Sequence, residues 1–472
     1  MNMIHTVHKI IAATLACVLI TSTCPPQLRG FTIGEEKELG EKLLYTVRSA
    51  FPIIDDPDLY QYLNDIGGEV LEVAGIPYFD YHFYIVKSDQ FNAFAAPSGL
   101  IFFYTNLVES MNSEDELISV IAHEIGHVVK RHLASRMKKG TVISIASLGA
   151  ALAALALGGG AVSSGLFVSS MAAGQSAQLY FSRQDEAEAD LLAYKWMQDL
   201  HRDTRGQKRM LQTMKRITRY RSDQVPQYLL THPDPEARLD YVESLIEADS
   251  SYHVAEEERA NFAFLRFKYR IMSLDSNPTA AKAYLASKMS DGRSSEFEET
   301  MALYGLAQLD RQENNYERSL TRLETVINVF PEQWILQVDK ANVLAEHGAL
   351  EQARMTLEPV YRSHVGDAYV EFSLGKILDK LGNKDQALAL FRNVAAQIPE
   401  LSEVYFEIGK ILSTQGKRLE ARYHLGKYNL YEGKLKLAEG NFKEVAAQSQ
   451  AGSKLQQDSE DMLALIERLQ KK

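Results

Sequence analysis

The sequence predicts a mainly α-helical protein with a small β-sheet (α+β), followed by an α-solenoid. Apolar residues recur at helical spacing through most of the chain. Two short segments rich in aromatic and β-branched residues interrupt that pattern, and a 34-residue period appears in the C-terminal third. At 472 residues the chain is longer than one core usually supports, so at least two domains are expected.

The composition is that of a folded protein that does not bind nucleic acid. Hydrophobic residues make up 46% of the chain, which is enough for a full core and excludes overall disorder. The 62 acidic residues outnumber the 51 basic ones, giving a net charge of −11 that opposes binding to polyanions. We therefore expect protein partners.

The first residues have the pattern of a secretion signal. Lys9 precedes an apolar run over 10–20 that is too short to span a bilayer, which predicts a signal peptide over 1–24. A lipid anchor and a buried N-terminal helix are the alternatives. Both cysteines, Cys17 and Cys24, lie here, so a mature chain has no disulfide framework. We expect a periplasmic protein that could associate with the outer membrane.

Two helices and two strands are predicted next. Apolar spacing indicates helices over 34–49 and 57–74. The period then changes to that of short strands over 82–86 and 100–104. We expect the second strand to present an edge to which an extended substrate could add.

The following helix contains two histidines at a spacing that suits a metal ion. Ser113 and Glu116 have the form of a capping box, and the helix should run to about residue 139. Within it, His123 and His127 stand one turn apart on one face, as two imidazole ligands of one zinc ion require. Glu124 lies beside them, where it can hold and deprotonate a zinc-bound water.

A third ligand should come from another element, and an acidic helix offers one. Glu186 and Asp190 are four residues apart, so if Glu186 binds zinc, Asp190 can accept a hydrogen bond from a ligand histidine. Glu188 should point elsewhere. The acidic run could also be an ordinary solvated surface. His132 lies off the ligand face and is left out of the predicted site.

These motifs together resemble one peptidase family. The matching segments are His123-Glu124-x-x-His127, Glu186-x-x-x-Asp190, Asn92-Ala93-Phe94-Ala95 and Thr231-His232-Pro233-x-Pro235-x-x-Arg238. The pattern is similar to that of the gluzincin metallopeptidases related to the CAAX prenyl endopeptidase and the mitochondrial OMA-type protease. The resemblance implies a zincin-like domain over 31–250 with one zinc ion held by His123, His127 and Glu186. It further implies that Glu124 is the catalytic base and that His232 and Arg238 have functional places. Asp190 is expected, from its spacing to Glu186, to assist by orienting a ligand histidine.

His232 has several possible roles. It lies between Thr231 and Pro233, and Pro235 suits the first turn of a helix carrying Arg238. His232 could stabilise the oxyanion, contact the substrate, or occupy the open zinc position as a gate. A surface histidine in a turn is the alternative, as is an exposed position for Arg238.

The segment over 141–181 is nearly uncharged and interrupted by glycine. Its two apolar runs are short, and His127 and Glu186 must meet at one metal, which excludes an odd number of membrane crossings. We expect a lid-like or peripherally membrane-touching hairpin rather than a span.

The C-terminal part repeats with the spacing of tetratricopeptide units. Gly375 and Gly409 are 34 residues apart, as are Ala387 and Ala421. We expect connecting helices over 253–298, about four repeats over 299–447 and a polar tail over 448–472. Stacked helix pairs leave a groove suited to binding protein.

The predicted function is that of a zinc-dependent endopeptidase. It would act on envelope or misfolded outer-membrane proteins, in outer-membrane protein quality control, and its repeats would bind clients or the assembly machinery. The alternative is a chaperone or scaffold whose zinc site is structural or closed by His232 as a fourth ligand.

Overall fold

The computed structural model describes residues 32–75, 77–137, 181–220, 227–249, 262–274, 277–290, 292 and 294–470. The predicted signal peptide over 1–24 lies outside the described residues, as does nearly all of the apolar segment over 141–181. None of the helices within the described ranges is long and apolar enough to cross a membrane.

The first two helices form where apolar spacing predicts them. Helix α1 spans Ile33–Ala50 and α2 spans Pro57–Ala74. Thr32 caps α1 in a capping box with Glu35, and Asp56 caps α2 by accepting from two backbone N–H groups. In each helix the cap therefore accepts from some of the N–H groups that have no partner within the helix.

A three-stranded sheet follows, with the order β1-β3-β2. Strands β1 (His82–Val86), β2 (Ala93–Ala96) and β3 (Leu100–Tyr104) pair parallel for β1 with β3 and antiparallel for β2 with β3. The prediction that Leu100–Tyr104 is an edge strand is wrong, because β3 lies in the centre. Strand β2 was not predicted, since three of its four residues are alanines that give no alternating pattern.

The helix that carries His123 and His127 is shorter than predicted. After the short α3 (Thr105–Ser110), helix α4 spans Glu114–Val129 and does not reach residue 139. Arg131 adopts a left-handed backbone with φ of 53°, and its guanidinium pairs with buried Glu36 of α1 at 2.7 Å. A left-handed residue ends a helix, so the chain turns and restarts as α5 (His132–Met137).

Four more helices of the N-terminal unit lie within the described residues. They are α6 (Arg183–Asp199), α7 (Arg205–Tyr220), α8 (Gln227–Thr231) and α9 (Pro235–Ala248). Helix α4 is packed between α6 and α7, with the sheet beside it. The helix that carries the paired histidines is therefore surrounded by the core.

The described residues from 262 onward are mainly helical. The helices are α10 (Phe262–Leu274), α11 (Pro278–Ser290), α12 (Glu296–Gln312), α13 (Tyr316–Val329), α14 (Ile335–Glu346), α15 (Leu350–Ser363), α16 (Ala368–Lys380), α17 (Lys384–Gln397), α18 (Ser402–Thr414), α19 (Arg418–Tyr431), α20 (Leu435–Gln448) and α21 (Lys454–Gln470). From α12 they stack in antiparallel pairs, and the second helices begin at regular positions: Tyr316, Leu350, Lys384 and Arg418. This spacing is the 34-residue tetratricopeptide period, and the array is an α-solenoid.

The segment predicted as a polar tail, 448–472, is largely the helix α21. Ile466 and Ser459 are buried, and α21 packs on α20 beside Tyr45 of α1. Apolar residues at helical spacing among many polar ones cover the end of the solenoid, which otherwise would expose an apolar face. A terminal capping helix therefore replaces the expected tail.

A buried ionic cluster joins the repeats to the N-terminal unit. Arg266 and Arg270 of α10 both contact Asp339 of α14, at 3.0 and 3.1 Å. The same arginines contact Asp58 of α2, at 2.7 and 3.0 Å. Tyr369 of α16 donates to Asp339 at 2.7 Å. One continuous hydrophobic cluster extends from α2 to α14 around these groups, so residue 299 does not separate two cores.

The end of the solenoid returns to the N-terminal unit at a second contact. Arg48 of α1 donates to the backbone carbonyl oxygen of Tyr431 at 2.9 Å. The ring of Tyr45 stacks on that of Tyr431, with 6.5 Å between the ring centroids. Ser402 of α18 donates to Asp55 at 2.7 Å. The repeats therefore contact the N-terminal unit at two separate places along the array.

We expect Asp339→Ala to lower the free energy of unfolding by about 3–5 kcal/mol, measured by urea titration, because two arginines stay buried without it. The matched control is Glu324→Ala, which removes a half-exposed partner of Lys340 and should cost at most about 1 kcal/mol. Equal effects of the two substitutions would contradict a linking role for the cluster.

Candidate metal centre

The site is built where helices α4 and α6 come unusually close. A Cβ atom on Gly126 of α4 would lie 3.2 Å from the Cα atom of Ala189 on α6, so only glycine fits without displacement. On α4, His123 and His127 flank this glycine, and on α6, Glu186 and Asp190 flank the alanine. The close crossing therefore brings the two predicted pairs together.

Three groups face one another across the crossing. The Nε2 atoms of His123 and His127 lie 3.0 Å apart. Each Nε2 atom is also 3.5 Å from a carboxylate oxygen of Glu186. All three side chains are buried, with at most 3% of each exposed. Two imidazole nitrogens and a carboxylate oxygen thus converge on one point, as sequence spacing predicts for the ligands of a metal ion.

His232 is the fourth member of the group. Its Nδ1 atom lies 3.1 Å from Glu186 Oε1 and 3.4 Å from His123 Nε2. The candidate ligand atoms of all four residues lie within 4.8 Å of one another. Its ring stacks on Tyr228 at 4.3 Å, and its backbone N–H donates to the Tyr228 carbonyl at 2.7 Å. His232 is fully buried, which excludes the alternative of a surface histidine.

Arg238 balances the charge of the two α6 carboxylates. Its guanidinium contacts Asp190 at 2.7 Å and Glu186 at 2.9 Å, and the residue is buried. Burial raises the pKa of both carboxyls, but Arg238 and the neighbouring histidines outweigh it and hold both below their usual range. Both carboxyls therefore stay ionised. The alternative of an exposed Arg238 is excluded.

The pKa values of the two histidines on α4 move in opposite directions. Burial and Arg238 act to lower the pKa of His123, but Asp190, at 2.9 Å from its Nδ1 atom, and Glu186 raise it to about 9. Burial and the charge of His123 hold the pKa of His127 well below the usual value. Without a metal, a proton shared in this pair therefore resides on His123.

Glu124 is buried in the same site without a hydrogen bond to a protein donor among the described residues. Among the described residues, neither of its carboxylate oxygens has a hydrogen-bond partner, and neither does His232 Nε2, 3.5 Å away. Buried polar atoms without partners are costly and indicate a missing species. The donor set of imidazole nitrogens and a carboxylate oxygen is the one that zinc prefers. The residues present therefore fit a zinc ion.

Three contacts at the site had no detectable pattern in the sequence. Phe181 stacks on His127 at 3.9 Å, and Tyr228 supports His232. The Nδ1 atom of His132 lies 2.9 Å from that of His127, and Glu188 approaches His132 to 3.5 Å. His132 was left out because a continuous helix would turn it away. The helix break at Arg131, which no sequence pattern indicated, places it beside the site.

Comparison with known proteins agrees with this geometry. Residues 57–246 match the model of peptidase family M48. The "Beta-barrel assembly-enhancing protease" of Yersinia pestis is 26% identical over 434 residues, which cover 89% of this chain and 86% of that protein. The protein of the same name from Escherichia coli strain K12 is 32% identical over 212 residues, covering 44% and 43%.

A more distant relative shares part of the same region. The "Mitochondrial metalloendopeptidase OMA1" of Schizosaccharomyces pombe is 25% identical over 182 residues, covering 39% of this chain and 51% of that protein. The alignments to the Escherichia coli and Schizosaccharomyces pombe proteins thus span about half of those relatives. The resemblance inferred from the sequence motifs is confirmed.

We expect Gly126→Val to separate α4 from α6, lowering stability by about 1–3 kcal/mol and reducing bound zinc well below one ion per chain. Zinc is measured by atomic absorption and stability by thermal unfolding. The control is Gly68→Val, where a Cβ atom meets no heavy atom within 4 Å. Full zinc content in Gly126→Val would show that the close crossing is not required.

Proposed function

We propose that this chain, a zinc metalloendopeptidase with a peptidase family M48 domain, cleaves envelope proteins in the periplasm, using His123, His127 and Glu186 as zinc ligands. One observation carries the proposal most directly. Glu124 is fully buried beside those ligands, yet its oxygens lack hydrogen-bond partners among the described residues. A carboxylate kept in that costly state is suited to hold a reacting water.

The proposed ligands are held by neighbouring side chains. Bound zinc would supply Lewis-acid polarisation of the substrate carbonyl and make a water more acidic. His123 directs its Nε2 atom toward the other ligands because its Nδ1 atom faces Asp190 at 2.9 Å. Asp190 is in turn held by Arg238 and by Gln207, which donates to its carbonyl oxygen at 3.1 Å. We assign Asp190 and Arg238 as positioning residues.

Glu124 is the proposed general base. It would accept a proton from the attacking water at a carboxylate oxygen, and then deliver it to the leaving amide nitrogen as the peptide bond breaks. Both transfers require an oxygen that no protein donor occupies. The two unpartnered oxygens of Glu124 meet that requirement.

We propose that His232 closes the site in the resting enzyme. Its Nδ1 atom faces the same point as the three ligands, so the four groups leave no open position for water or substrate. An oxyanion donor would instead need to stand apart from the ligands. This favours the gate among the roles considered for His232.

Opening the gate would also clear a place for substrate. Helix α8, which ends just before His232, packs on β2, and β2 is an edge strand that also adjoins α4. An extended peptide could pair with β2 once α8 moves, in place of the pairing with β3 expected from sequence. We therefore propose β2 as the substrate edge.

A chaperone or scaffold with a structural zinc site is the second candidate, and the four-residue group favours it. Structural zinc sites have four protein ligands and no open position. A structural site, however, gives no reason to retain Glu124 as a buried and unpartnered carboxylate. The endopeptidase accounts for both features, with His232 as a reversible ligand.

We propose a role in outer-membrane protein quality control, with the repeats binding client proteins or the assembly machinery. The names of the bacterial relatives refer to β-barrel assembly. Large apolar side chains are exposed on the solenoid, among them Met355 at 67%, Leu437 at 60% and Phe406 at 46%. Such side chains suit contact with the apolar segments of incompletely folded proteins.

Glu124→Gln should retain one zinc ion per chain and lose about 10²- to 10⁴-fold in kcat on casein, because the amide keeps the shape but cannot accept the proton. Glu186→Ala should lose the zinc itself. The exposed Glu72→Gln on α2 is the matched control and should match the wild type in both assays. Normal turnover in Glu124→Gln would rule out the proposed base.

His232→Ala should raise basal proteolysis while zinc stays bound, because one coordination position opens. If His232 were instead an oxyanion donor, the same change would lower kcat by a factor equivalent to about 2.7–4 kcal/mol. Casein cleavage and zinc content measured on the same sample separate the two. An unchanged rate would refute both roles.

A further inference from the structure

We infer that His132 is a positioning residue, whose imidazole accepts a hydrogen bond from His127 and thereby holds that ligand toward the metal. The inference rests on the proposed role of His127 as a ligand. His132 is buried, and its Nδ1 atom lies 2.9 Å from His127 Nδ1. Sequence spacing did not indicate this position, since five residues of continuous helix would turn His132 away from His127.

The hydrogen positions follow from the geometry. His127 turns its Nε2 atom toward His123 and Glu186, so its Nδ1 atom must carry the hydrogen when the ring is neutral. That N–H points at His132 Nδ1, which therefore accepts. His132 must then carry its own hydrogen on Nε2. This atom faces Glu188 Oε2 at 3.5 Å and Asp185 Oδ1 at 3.8 Å, two acceptors of the matching kind.

A metal-bound histidine usually donates its second N–H to a carboxylate, a backbone carbonyl or water. His123 follows this rule with Asp190. His127 instead has the imidazole of His132 as the partner of its Nδ1 atom. The carboxylates of Asp185 and Glu188 lie on the far side of that ring. Glu124, Glu186 and Asp190 already place three carboxylates in the site. Arg238 forms ion pairs with two of them, Glu186 and Asp190. An imidazole orients His127 without adding a fourth buried negative charge.

An ion pair outside the site holds the turn that positions His132. Helix α4 ends at Val129, and Arg131 turns the chain with its left-handed backbone. Glu36 of α1, itself 3% exposed, holds Arg131 through its guanidinium at 2.7 Å. The turn brings His132 back under His127. A partly buried ion pair with a distant helix thus fixes this one position.

His132 does not act as a metal ligand itself. Among the described residues, the group whose ligand atoms lie within 4.8 Å of one another contains His232 and not His132. Both its nitrogens also have other neighbours, His127 on one side and the α6 carboxylates on the other. Its action is therefore through His127.

The test compares His132→Leu with His132→Asn. The two side chains have nearly the same shape, but only the Asn Oδ1 atom can accept from His127 Nδ1. Zinc affinity is measured by competition with a chelator, and ligand geometry by the visible spectrum of the cobalt-substituted protein. Thermal unfolding of the metal-free variants reports on folding, and kcat and KM are measured on casein.

We expect His132→Leu to weaken zinc binding by about 10- to 100-fold and to alter the cobalt spectrum, with kcat falling more than KM changes. His132→Asn should restore most of the affinity and the wild-type spectrum. The metal-free variants should unfold at similar temperatures, which a purely structural role would not explain.

Wild-type affinity in His132→Leu, or equal losses in the two variants, would overturn the inference. If His132→Leu does not fold, Glu36→Gln provides the second test, since it frees the turn far from the metal. It should weaken zinc binding in the same direction, and unchanged affinity would overturn the role of that turn. A wild-type protein that binds no zinc would instead refute the proposed function.

Discussion

The contact between Gly126 and Ala189 is the constraint on which the site depends. Helix α4 supplies two imidazoles one turn apart, and α6 supplies two carboxylates at the same spacing. Neither helix can complete a metal site alone. Because a Cβ atom at Gly126 would lie 3.2 Å from Ala189 Cα, the backbones approach closely enough for short side chains from both helices to meet. The sheet and α7 then hold α4 in that position.

Charge balance is the second requirement of this centre. Three carboxylates and four imidazoles are buried within a small volume, and only ion pairs and hydrogen bonds make such burial tolerable. Arg238 spans Asp190 and Glu186, while His132 transmits the effect of more exposed carboxylates to His127. Of these three carboxylates, only Glu124 has no hydrogen-bond partner for either oxygen among the described residues, and His232 Nε2 approaches it only to 3.5 Å. The proposed general base is thus the carboxylate with the fewest compensating contacts.

Sequence spacing predicted the features that depend on a regular pattern of residues along the chain. The four-residue spacing of His123 and His127, the same spacing on α6, and the 34-residue period of the repeats were all recognisable. What it could not predict arises where elements end or cross. At the helix break, Arg131 donates to Glu36, which lies 95 residues earlier in the chain. Local spacing does not contain this contact, so the predicted length of α4 and the predicted position of His132 were wrong. Strand β2 was missed because alanines carry no pattern.

Zinc K-edge X-ray absorption would test most directly whether four protein groups share one metal. Outer-shell scattering from imidazole rings counts the histidines bound to zinc. We predict three imidazoles and one carboxylate in the resting wild type, falling to two imidazoles in His232→Ala, with zinc retained. Two imidazoles in both proteins would contradict the closed site, and a spectrum without imidazole scattering would contradict the metal centre as a whole.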